Sequence, residues 1–182
     1  MASTYSTSLK LELQATGENA GTWGDKTNTN LQLVEQAVGG YEEVSIAGGA
    51  GTTALTMSDG AASNARNMVV KLTGTITGNR IVTVPDSMEK VYIVSNGTTG
   101  SFTVQFKTAS GTGYTFVAAD KSVRVLFADG TNIVDTGIIN TSSTDTLTNK
   151  TLTTPTINGA TTTGSIANSA TIAGGTVSAV TL

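Results

Sequence analysis

From Asp25 to Val38 the apolar positions of this chain recur every three or four residues. Thr27, Leu31, Val34 and Val38 fall on one helical face, and Leu33 and Ala37 widen the stripe. The spacing predicts a helix over about 25–38, capped by Asp25 and stopped by Gly39-Gly40. So short a helix with so narrow an apolar face is marginal alone, and it must bury its stripe against something else. Ahead of it, "SLKLELQ" alternates and then gives way to the turn-rich "ATGENAGTWGD".

At Tyr41 the period drops to two. "YEEVSIA", "TALTM", "RNMVVKLTG", "RIVTVP", "KVYIVSN", "SFTVQFKT", "GYTFVA", "KSVRVLF" and "NIVDTG" read as short strands, separated by turn residues such as Asn96-Gly97 and Asp129-Gly130. Within "SFTVQFKT", Phe102, Val104 and Phe106 alternate with Thr103, Gln105 and Lys107, which predicts one buried and one wet face. Closely spaced strands in this number predict an antiparallel β-sandwich-like middle domain over 41–140, the one segment with a conventional core.

A third rule governs 141–182. A hydroxyl residue returns every five positions through "TLTNK", "TLTTP" and "TINGA", followed by Leu147, Leu152, Ile157, Thr162, Ala167, Ile172, Val177 and Leu182. Two slots are weak, because Thr162 replaces an aliphatic residue and Ile166 arrives one place early. The composition also suits a disordered linker, but regular aliphatic spacing with almost no charge argues against one. So few aliphatics cannot offset the entropy of ordering the segment in a lone chain. Pairing with other copies can, and three chains around an axis would turn each aliphatic slot into a layer of a thin β shaft.

Composition sharpens this picture. Charged residues make 13% of the chain and hydrophobic ones 38%, and roughly a fifth of all residues are threonine, so the chain is expected to be mostly β. A net charge of −3 without any run of Lys or Arg excludes nucleic acid and anionic membrane as electrostatic partners. Neither a leader-like start nor an apolar run of membrane-spanning length occurs, so neither signal-directed secretion nor membrane insertion is expected. Cysteine and histidine are both absent, which removes disulfides, Cys/His zinc sites and His-based catalytic pairs.

Paired carboxylates are the remaining route to catalysis. Asp86 with Glu89, Glu42 with Glu43, and Asp129 with Asp135 are the candidates. Adjacent Glu42 and Glu43 would point to opposite faces of a strand, Asp129 belongs to a turn, and Asp86 follows Pro85 into a loop. The glycine-rich "AGGAGTTALT" lacks the Gly-Lys-Ser/Thr ending of a phosphate loop, and no calcium-loop series of Asp and Asn occurs. No enzyme activity, cofactor or metal is expected.

"STDTLTNKTLTTPTINGA" resembles the shaft-forming repeats of bacteriophage tail fibre proteins, and "ATGENAGTWGDKTNTNLQLVEQAVGGYEEVSI" is similar to the N-terminal region of virion fibre proteins from phages of marine bacteria, cyanobacterial ones included. The two stretches lie in the expected order at the two ends of the chain. The resemblance implies a homotrimeric, non-enzymatic virion protein, assembled in the host cytoplasm. An N-terminal attachment segment (1–40) would dock on a tail hub or adaptor protein. The shaft (141–182) would project toward a host surface glycan, bound directly or through a further fibre protein at the C-terminus. Carried over by position, docking falls to Gly21, Trp23, Gly24, Asp25, Leu31, Val34 and Val38. The shaft layers fall to Leu147, Leu152, Ile157, Ile166, Ile172, Val177 and Leu182. Two alternatives are a carbohydrate-binding module with a threonine-rich tail, for which Tyr92, Tyr114 and Phe116 would form the aromatic platform, and a capsid decoration protein.

Overall fold

The computed structural model describes residues 2–138, so the shaft repeat and its layer residues lie outside the described part of the chain. A two-stranded hairpin, β1 (Thr4–Tyr5) with β2 (Glu12–Leu13), opens the chain and leads into one long helix, α1 (Trp23–Gly39). Nine further strands follow: β3 (Tyr41–Ser45), β4 (Gly51–Ala54), β5 (Val69–Thr75), β6 (Arg80–Val84), β7 (Glu89–Thr99), β8 (Val104–Thr108), β9 (Gly113–Phe116), β10 (Val123–Asp129) and β11 (Ile133–Asp135). A short 3-10 turn at Asn64–Arg66 interrupts the connection between β4 and β5. Each of the nine alternating runs in the sequence overlaps one of these strands, and the chain is mostly β.

How the strands pair departs from the antiparallel expectation. They form a five-stranded sheet in the order β11-β10-β7-β5-β3 and a four-stranded sheet in the order β4-β6-β8-β9. In the first, β3, β5 and β7 are mutually parallel; in the second, β4, β6 and β8 are. From β3 to β8 the chain crosses between the sheets at every connection, so each strand stacks on the strand two earlier. Tyr41 pairs with Val69 and Val69 with Ile93, an advance of 28 residues (41 to 69) and then 24 (69 to 93). The stacking continues around the corner, where Gly48 bridges Ile76 and the Ile76 amide donates to the Thr99 carbonyl. Only at the end does antiparallel pairing take over, with β9 on β8, β10 on β7 and β11 on β10.

The core fills the space between the two sheets. Val70, Leu72, Tyr92, Val94 and Leu126 from the five-stranded sheet meet Val82, Val84, Val104, Phe106 and Phe116 from the other, all fully or almost fully buried. Burying each of the larger side chains stabilises the fold by about 2–3 kcal/mol. Tyr92 and Phe106 meet edge to face across the gap, with centroids 5.3 Å apart, and the Tyr92 hydroxyl donates to the Ala65 carbonyl at 2.8 Å. Phe102, expected inside with Val104 and Phe106, precedes β8 and stays partly exposed at 37%.

Asn96-Gly97 is a further correction, since it makes no turn and lies within β7. The buried Asn96 amide donates to the Asp120 carbonyl, and its carbonyl oxygen accepts from Thr98, which pins the strand where a turn was expected. Corner packing explains Gly100: its φ is +103°, and a Cβ there would lie 2.2 Å from the Ile76 carbonyl of the turn below.

Candidate docking surface on the N-terminal helix

Helix α1 is held on one side and open on the other. Its inner side buries Leu33 and Ala37. Asn30 makes a reciprocal pair with Glu12, accepting from its amide at 2.9 Å and donating to its carbonyl at 2.8 Å, and Lys26 reaches the Glu12 carboxylate at 3.1 Å. The Lys26 ammonium, then the opposing cost of desolvation, set the Glu12 proton affinity, with a net shift below the usual carboxylate range.

Farther along, Gln36 joins the helix to Arg66, the largest fully buried side chain. The Arg66 guanidinium donates to the Leu9 carbonyl (3.0 Å), the Ser58 carbonyl (2.7 Å), the Gln36 side-chain oxygen (3.2 Å) and the Ala61 carbonyl. These four acceptors are neutral oxygens, so the fork of donors gathers the N-terminal loop, the helix and the loop after β4 by hydrogen bonding alone. Burial lowers the Arg66 pKa from its usual value.

The outer side carries Trp23, Thr27, Leu31, Val34 and Val38, continued by Tyr41 at the start of β3. Trp23, Leu31 and Val38 are 65%, 62% and 64% exposed. Thr27 presents its methyl while its hydroxyl donates back to the Trp23 carbonyl at 2.9 Å. The predicted face therefore exists, but it is not the one this chain buries on itself. Of the residues carried over as docking positions, Leu31, Val34 and Val38 lie along this stripe with Trp23 at its head. Gly21, Gly24 and Asp25 cluster at the same end of the helix.

Asp25 does not cap. Helical bonding begins at the Thr22 carbonyl, which accepts from the Asp25 and Lys26 amides, because Asn19 (φ +57°) and Gly21 (φ +82°) turn the chain into the helix earlier than its apolar period suggests. Asp25 instead occupies the first turn, where its charge favours the positive end of the helix dipole.

Four of the candidate carboxylates have structural partners. Asp86 accepts from the Ser110 amide and Asp129 from the Thr131 and Asn132 amides, and these bonds hold both below the usual range. Glu43 is held low by Lys71 at 2.7 Å and then by the Tyr41 hydroxyl. Asp135 lies 4.0 Å from Arg124. Among the described residues, no group of three or more acidic side chains is placed to hold a metal ion. Nor do Tyr92, Tyr114 and Phe116 offer a platform. Tyr92 and Phe116 are buried, and Tyr114 is half-buried with its hydroxyl donating to Asp120 at 2.8 Å.

Sequence reasoning passed over Lys90. Its ammonium lies 3.8 Å from the Tyr92 ring centroid and donates to the Asn67 carbonyl at 2.8 Å. Burial, followed by the charge of Arg66, pushes its pKa down to about 7. A lone lysine in an alternating strand carries no signal of this, because the helix-side loop that desolvates it is distant in sequence. Searches of protein families, curated proteins and solved structures find no match to this chain.

Proposed function

We infer that this chain is a structural protein of a phage virion, a trimeric tail fibre or fibre base. In this reading α1 docks on the tail through its outer stripe, and residues 141–182 of three chains form the shaft that leads toward the host. The observation that carries the reading is the helix itself. A helix hydrogen-bonded firmly to its own body through Asn30 and Gln36 still presents Trp23, Leu31, Val34 and Val38 outward. An apolar stripe of that kind, headed by a tryptophan, has the chemistry of an interface anchor. Attachment is then mechanical and multivalent, with weak contacts to tail and host summed over three chains.

The test is the solution mass of the full chain by light scattering, beside that of a chain ending at Asn140. A trimer that becomes a monomer on truncation is expected. A full chain that stays monomeric across micromolar concentrations overturns the reading.

A further inference from the structure

We propose that the outer face of the five-stranded sheet, on its β7-β10-β11 side, is the surface through which the bodies of three copies of this chain pack against one another. The inference rests on the three-chain reading above and adds to it the face that meets the partner.

Strand alternation sorts the residues of this sheet. Tyr92, Val94, Leu126 and Ala128 point inward and are buried, so Val91, Ile93, Val125, Phe127 and Val134 point outward. Register aligns them in two apolar rows. Phe127 pairs with Val134 on one side and Val91 on the other, and Val125 pairs with Ile93, which in turn pairs with Val69. Phe127 and Val91 remain 38% and 44% exposed and line a depression of about 450 Å³ together with Glu89, Lys90, Ala128 and Asp129. The paired positions of the two rows are all apolar, and the Glu43–Lys71 ion pair on this face joins β5 to β3, two and three strands away from β10. Apolar centre and charged margin is the arrangement of protein interfaces.

Connectivity chooses the occupant. The chain leaves the sheet from β11, its edge strand, and Ile138 lies only three residues before Thr141, where the shaft begins in this reading. Three residues span at most about 10 Å. Three chains that come together at Thr141 must therefore bring their β11 edges close to a common axis. The inner face of that sheet is already covered by the four-stranded sheet, so the surface left beside the exit is the outer one.

The chain has no cysteine, which makes single replacements clean probes. Full-length Phe127→Cys and Val91→Cys are treated with a short bis-maleimide, with Thr115→Cys on the outer face of β9 as the reference. Covalent dimers, the largest product that one thiol per chain allows, are expected from the first two and not from Thr115→Cys, with maleimide labelling at least tenfold slower at positions 91 and 127 than at 115. A chain that is trimeric by light scattering but cross-links at 115 in preference to 91 and 127, or labels equally fast at all three, overturns the packing surface and leaves the trimer reading standing. Slow labelling at 91 and 127 without intermolecular cross-links means that the chain covers its own face, and also overturns it. A monomer overturns both.

Discussion

Lys90 gives the body a pH dependence of predictable sign. Its pKa is about 7 folded, against about 10.4 for an unhindered lysine, so between those values the unfolded chain binds the extra proton and stability rises with pH. Urea denaturation is expected to show a gain of about 1 kcal/mol per pH unit from about pH 7.5 to about 9.5, and Lys90→Met should flatten it. Above about pH 10 the trend reverses, because burial raises the pKa of Tyr92 and of Tyr114, and the unfolded chain then loses those protons first. A flat profile for the unmodified chain would refute this account. Gly100 makes a second prediction at this scale. With φ of +103° and the Ile76 carbonyl 2.2 Å from a built Cβ, Gly100→Ala should cost about 2 kcal/mol or more in the same denaturation experiment. A glycine among twenty-one does not announce such a role in sequence, since the Ile76 carbonyl it crowds belongs to a different turn of the chain.

At the scale of elements, helix α1 was legible in extent and only half legible in use. Gly39-Gly40 and the apolar period locate it, but the period cannot say which of two neighbouring apolar faces the chain keeps for itself. Leu33 and Ala37 are buried; Leu31 and Val38 are not. Leu33→Ala should therefore destabilise the body by about 2–4 kcal/mol, whereas Leu31→Lys should stay within about 0.5 kcal/mol. Thermal denaturation of the two variants separates them, and equal losses would contradict the assignment of faces. The strands show the complementary limit. Alternation identified where they lie and that Val104 and Phe106 face inward, yet it is silent about partners. Short connections usually join antiparallel neighbours. Here the segments between β3 and β4 and between β5 and β6 turn the chain into the opposite sheet, so parallel neighbours are two strands apart, and no local residue pattern distinguishes that corner from a hairpin.

For the molecule as a whole, three spacings suggested an N-terminal segment, a strand-rich body and a threonine-rich repeat, but the described residues of the first two belong to one compact unit. The sequence offered no hint of Arg66. Arginine before an apolar strand reads as surface charge, and only the folded chain shows its guanidinium enclosed by Leu9, Gln36, Ser58 and Ala61. That enclosure has a mechanical consequence. Helix α1, the leading loop and the loop after β4 all converge on one rigid planar group, which ties the three segments to a common point. In the proposed docking reading, a load on the outer stripe would reach the body through this shared point, where Gln36 meets the guanidinium.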